Sequence, residues 1–119
     1  MLKLLEESLK ITFENEIAVL KFDGEVIFDN SNQLKEEAKN SLAEKKEIET
    51  LIIDLSQVSY LDSSGVGVLL SLFKFMRNRD GSMAIANANE KIGRVFEVTK
   101  MTEIISAYEN VEQALNELK

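Results

Sequence analysis

Apolar and polar residues alternate through residues 9–22, on either side of Glu14-Asn15-Glu16. Alternation with a period of two is typical of strands that bury one face, so this segment is predicted to form a hairpin of two strands. Asp23-Gly24 is expected to end the hairpin, because both residue types favour turns.

The next apolar positions are three or four residues apart, which is the spacing of a helix that buries one face. They predict a helix over residues 28–46 with a buried side formed by Leu34, Ala38 and Leu42. Leu51-Ile52-Ile53 is continuously apolar, as in a central strand that is covered on both faces. We expect a loop at residues 55–61 after this strand.

A second helix is predicted over residues 64–78, capped by Asp62 or Ser63 and stopped near Asp80-Gly81. One stripe of this helix is apolar and is expected to face the core: Val66, Leu69, Leu70 and Phe73. Another stripe carries small or polar residues and is expected to be open to solvent: Ser64, Gly67, Ser71, Lys74 and Asn78.

The rest of the chain predicts a strand at 83–86, a helix at 89–99, a strand at 103–107 and a last helix capped by Asn110. Helices that alternate with strands in this way indicate an α/β fold. We therefore expect residues 1–119 to form a single domain, a mixed β-sheet of about four to five strands with about four helices packed on it.

Composition narrows the chemistry of the chain, which has 119 residues and contains neither cysteine nor histidine. Disulfides, thiolate metal sites and catalytic triads with histidine are therefore excluded. We expect no catalytic residue, no metal and no cofactor.

The formal net charge of −7 repels nucleic acid and anionic lipid. The basic clusters, Lys45-Lys46 and Lys74 with Arg77 and Arg79, are interpreted as solvated helix ends. No stretch is apolar over the roughly 20 residues that cross a bilayer, and the acidic start does not fit a signal peptide. We expect a cytoplasmic protein with neither nucleic acid nor a membrane as its partner.

Hydroxyl and carboxylate groups concentrate in residues 54–67, DLSQVSYLDSSGVG, between a buried strand and a helix start. Helix N-termini favour anions, although Asp62 and Ser63 are also common caps. Phosphate loops and nucleophile elbows do not fit, because the required lysine and glycine are missing at their fixed positions. A phosphorelay receiver, with Asp54 as phosphoacceptor and Asp23 with Glu25 as magnesium ligands, remains an alternative.

The run LIIDL at residues 51–55, followed by DSSGVGVLL at 62–70, resembles the signature of the STAS family, in its bacterial anti-sigma-factor-antagonist branch. The order of elements is similar over nearly the whole chain. The resemblance implies a STAS fold and a switch that is not an enzyme. Another alternative is a STAS module that senses a nucleotide or another small anion.

In that family the unphosphorylated form binds an anti-sigma factor that is also a serine kinase, and so frees the sigma factor. The resemblance implies that phosphorylation of Ser63 ends this binding, with Ser64 as the competing acceptor, and that a phosphatase reverses it. The expected partner-binding residues follow the motif and the open stripe of the helix: Asp62, Ser63, Ser64, Gly65, Gly67, Ser71 and Lys74.

Overall fold

The computed structural model describes residues 9–118, which form a mixed sheet with strand order β1-β2-β3-β4-β5. Strand β1 pairs antiparallel with β2, and the other neighbours pair in parallel. The strands are β1 (Leu9–Glu14), β2 (Ile17–Val26), β3 (Thr50–Leu61), β4 (Ser82–Ala86) and β5 (Ser106–Tyr108). The α-helices are α1 (Phe28–Ala43), α2 (Ser63–Asn78), α3 (Glu90–Val98) and α4 (Val111–Leu118). The predicted α/β class and mixed sheet are confirmed.

Strand β2 is longer than the sequence pattern predicts. The predicted hairpin is present, but Asp23-Gly24 does not end it, because β2 continues beside β3 as far as Val26. Gly24 has a φ of +94°, and the register between the two strands shifts on either side of it. The glycine therefore bends the strand and does not terminate it.

Strand β3 includes the segment that was expected to be a loop. It runs to Leu61, whose partner across the parallel ladder is Val26. Val58 and Leu61 are buried, while the polar residues between and before them are exposed. Backbone pairing with β2 and burial of these two side chains outweigh the polar composition that suggested a loop.

Helices α1 and α2 pack side by side on one face of the sheet. The core beneath them includes Leu34, Ala38 and Leu42 of α1, as predicted. Helix α2 buries Val66 and Leu69 as expected, but Leu70 is exposed and Phe73 is only half-buried. The buried side of α2 also contains Val68, Leu72 and Met76, because this helix packs against α1 as well as the sheet.

The opposite face of the sheet is covered by α4. Its Ala114 packs with Ile17, Ile52 and Ala86, and the amide of Gln113 donates to the Asn110 side chain at 2.7 Å. The predicted cap of the last helix is therefore confirmed. The segment expected to be a strand at 103–107 instead begins in a 3-10 turn, Met101–Glu103, and β5 follows it.

Candidate functional site

Asp62 joins the N-termini of two helices. It follows β3 in an extended conformation and is the N-cap of α2, where its Oδ1 accepts the amide of Gly65 at 3.0 Å. Its Oδ2 accepts the amide of Phe28, the first residue of α1, also at 3.0 Å. One carboxylate thus satisfies amide donors at the starts of both helices, where the helix dipoles favour negative charge.

The hydrogen bonds at this junction set the ionisation of Asp62. Partial desolvation acts to raise the pKa of the carboxyl group, but backbone N–H groups of Gly65, Phe28, Ser64 and Asp62 itself lower it. The net effect holds the pKa of Asp62 below its ordinary value of 3.8. Asp62 is therefore a carboxylate at neutral pH, beside the residue where phosphorylation is expected.

Gly65 allows α2 to begin close to the sheet. A Cβ atom on this residue would overlap the carbonyl oxygen of Val26 and would lie 2.8 Å from Cδ2 of Leu61. Gly67, two residues further along α2, has no heavy atom within 4 Å of the position that its Cβ atom would occupy. The two glycines of the motif therefore differ. Gly65 permits close packing of α2 on the sheet, whereas Gly67 leaves the exposed surface of α2 without a side chain at that position.

The two serines that follow Asp62 lie in different surroundings. Ser63 is exposed at the first position of α2, and Ser64 is half-buried beside α1. Within residues 9–118, neither hydroxyl makes a hydrogen bond. Ser63 is thus the more accessible of the two to another protein.

A groove of about 300 Å³ follows the open side of α2 and separates it from α1. Its α2 wall contains Ser64, Gly67 and Ser71 from the predicted stripe. Its α1 wall contains Phe28, Ser31, Asn32 and Lys35. Lys74 and Asn78, the last two residues of the stripe, lie in an adjoining depression that shares Ser71 with the groove. The structure therefore brings the predicted stripe to one open surface.

Sequence reasoning missed the contribution of α1 to this surface. Phe28 is 78% exposed and its amide is held by Asp62. Asn30 fixes the start of α1, since its side chain accepts the amide of Ile27 at 3.0 Å and donates to the Glu25 carbonyl at 2.8 Å. The asparagine three residues after Ile27 is a local sequence signal for this helix start.

Asp54 does not resemble an exposed phosphoacceptor. It lies in the interior of β3, 7% exposed, and accepts hydrogen bonds from the Ser56 amide at 2.9 Å and the Asn87 side chain at 3.0 Å. Among residues 9–118 there is no group of three acidic side chains that is able to hold a metal ion. These surroundings do not favour the receiver alternative with Asp23 and Glu25 as magnesium ligands.

Comparisons with known proteins agree with this arrangement. The family model described as STAS domain matches residues 8–114. An anti-sigma F factor antagonist from Paenibacillus polymyxa is 25% identical over 94% of this chain and 97% of its own length. An anti-sigma-B factor antagonist from Listeria monocytogenes is 39% identical over 60% of this chain and 61% of its own length.

Solved structures show the same fold at lower identity. The anti-sigma factor antagonist SpoIIAA in its unphosphorylated form has a TM-score of 0.78 and 19% identity, covering 92% of this chain and 95% of its own. The phosphorylated form of Bacillus SpoIIAA has a TM-score of 0.71 and 19% identity, covering 93% and 99%. In the part of this chain that the structure describes, no helix is long and apolar enough to cross a membrane.

Proposed function

The chain belongs to the STAS domain family, and on this basis we propose that it is a cytoplasmic anti-sigma-factor antagonist controlled by phosphorylation of Ser63. In its unphosphorylated form it binds an anti-sigma factor that is also a serine kinase, and this binding frees the sigma factor. Relatives from Paenibacillus and Listeria that carry the antagonist name support this function.

The position of Ser63 carries the proposal. Its hydroxyl is exposed at the first position of α2, directly after the carboxylate that joins the two helices. A kinase is able to reach this hydroxyl without opening the core. Ser64 is a poorer acceptor, because its half-buried side chain faces the groove beside α1.

Phosphorylation of Ser63 acts through local charge. A phosphate group adds about −1.5 to −2 charges at neutral pH. The start of a helix tolerates this charge, but here it lies next to the ionised Asp62, so the local field becomes strongly negative. A partner that packs against Asp62 and Ser63 then meets repulsion and an unpaired charge, while the fold stays intact.

The protein itself acts as ligand and substrate, without catalytic turnover of its own. The chain lacks the histidine and cysteine on which many catalytic sites depend, and the kinase supplies the phosphoryl-transfer chemistry. A phosphatase that removes phosphate from Ser63 restores binding. The binding surface consists of Asp62, Ser63, Ser64, Gly67, Ser71 and Lys74. Gly65, which the family motif also suggested, is buried and supports this surface by letting α2 begin close to the sheet.

The assignment of Ser63 is tested by incubating the protein with its co-purified kinase and labelled ATP. We expect wild type and Ser64→Ala to be labelled and Ser63→Ala to remain unlabelled, with acid-stable phosphate mapped to Ser63 by mass spectrometry. Folding of each variant is checked by its thermal melting curve. Equal labelling of all three proteins would exclude Ser63 as the acceptor.

A further inference from the structure

A basic pocket of about 360 Å³ lies between α1 and α2, at the end of the groove that is away from Ser63. Lys39 reaches it from α1, and Lys74 and Arg77 reach it from α2. Ser71, Phe75 and Asn78 complete its lining. Lys39 is separated from the other two cations by more than thirty residues of sequence. The sequence alone, which suggested that Lys74 and Arg77 are part of a solvated helix end, therefore did not reveal this cluster.

Within residues 9–118, no carboxylate forms an ion pair with any of the three cations of this pocket. The Arg77 guanidinium lies over the Phe73 ring, 5.6 Å from its centroid. Helix α2 contains no aspartate or glutamate along its whole length, although the chain has 21 acidic residues. The pocket is therefore a local region of positive charge on a protein whose net charge is −7.

We propose that the basic pocket, lined by Lys39, Lys74 and Arg77, binds an acidic segment of the partner protein. The pocket shares Ser71 with the groove that begins at Ser64, so a partner docked at Ser63 continues directly into it. This inference rests on the proposed function for the identity of the partner. It adds the chemistry of the contact, which is carboxylate groups of aspartate and glutamate placed against three cations.

Because the protein as a whole is negatively charged, the pocket favours a short acidic segment over a long polyanion such as nucleic acid. A nucleic acid that reached the pocket would also approach the rest of a protein whose net charge is −7 and would be repelled. Asn78 and Ser71 add neutral hydrogen-bonding groups, and the aliphatic stems of the lysines and the Phe75 ring add apolar contact area. A folded partner that presents two or three carboxylates on a loop fits these features.

The test uses the full chain and a short fluorescent poly-glutamate peptide at low salt. We compare a pocket variant, Lys39→Glu with Lys74→Glu, with a control of equal charge change, Lys46→Glu with Lys91→Glu, at two exposed sites outside the pocket. We expect the pocket variant to weaken peptide binding about tenfold, equivalent to about 1.4 kcal/mol, and the control to weaken it much less. Salt near 0.15 M should reduce the wild-type affinity through screening.

Amide chemical shifts identify where the peptide binds. We expect the largest changes at Ser71, Lys74 and Asn78. Equal losses in the pocket and control variants, no peptide binding, or shifts elsewhere would overturn the proposal. Binding of ATP, inorganic phosphate or an oligonucleotide at the pocket in preference to the peptide would also overturn it. Labelling of Ser63 by the kinase is measured separately, so its result distinguishes failure of this inference from failure of the proposed function.

Discussion

The two ends of the α1–α2 pair are held together by charges of opposite sign. At the N-terminal end, the Asp62 carboxylate accepts amides from both helices. At the C-terminal end, the Arg79 guanidinium donates to the carbonyls of Leu42, Lys45 and Ile48 at 2.9 to 3.1 Å. Each charge matches the helix dipole at its end. At each end, a charged side chain therefore joins the two helices through hydrogen bonds to backbone groups.

The two ends differ in what surrounds the charge. Arg79 is half-buried, and its guanidinium stacks 5.1 Å from the centroid of the Phe75 ring. The carbonyls that it binds belong to the last turn of α1 and to the segment directly after it. Asp62 is followed at once by the exposed Ser63. The C-terminal junction is therefore structural, whereas the N-terminal junction combines a structural contact with the exposed serine at which we propose phosphorylation.

The largest expected effect is at the C-terminal junction. Arg79→Ala removes three hydrogen bonds from a charged donor, and we expect it to lower the free energy of unfolding by about 2–3 kcal/mol. Arg77→Ala is the matched control, since Arg77 is exposed and its guanidinium, among the described residues, makes a ring contact but no hydrogen bond. Urea denaturation measures both. Equal stability of the two variants would show that the guanidinium does not hold the helices together.

A smaller effect is expected where α2 begins. Gly65→Ala places a methyl group against the Val26 carbonyl, and we expect a loss of about 2 kcal/mol in unfolding free energy as α2 shifts outward. Gly67→Ala faces open space and is expected to stabilise the helix by up to about 1 kcal/mol. Effects of the same sign and size in thermal or urea unfolding would contradict the distinction between the two glycines.

The smallest expected effect is the contribution of the Asp62 charge to stability, which is measured by changing the pH. Because the folded pKa of Asp62 is depressed, its ionised form contributes stability above the unfolded value, near 3.8. That contribution is lost as the pH falls through the lower folded pKa. We expect wild type to melt at a higher temperature than Asp62→Asn at pH 7, with the difference shrinking in acid. A difference that is independent of pH would argue against a role for the charge.

The sequence predicted the parts of the fold that rest on local periodicity. Leu34, Ala38 and Leu42 are buried on α1 as their spacing predicts. Asp62 and Asn110 cap the starts of α2 and α4, as their residue types and positions predict. Contacts between distant segments were not predictable from one sequence. They include the extension of β3 to Leu61 and the bond from Asp62 to Phe28, 34 residues away.

The same limit applied to the candidate site. The family resemblance named Ser63 and its neighbours, but it did not indicate that α1 supplies one wall of the groove. Helical spacing places Leu70 in the predicted apolar stripe of α2, but spacing alone does not reveal against which other helix α2 packs. In the structure α2 packs against α1, and its buried side turns toward Val68 and Leu72.

The most direct test of the switch is the affinity of the anti-sigma factor for two forms of this protein, unphosphorylated and phosphorylated on Ser63. A loss of about 2.7 kcal/mol corresponds to binding that is about 100-fold weaker, and we expect a loss of that order. Circular dichroism and the melting temperature should show that the phosphorylated fold is intact. Equal affinity of the two folded forms would contradict the account.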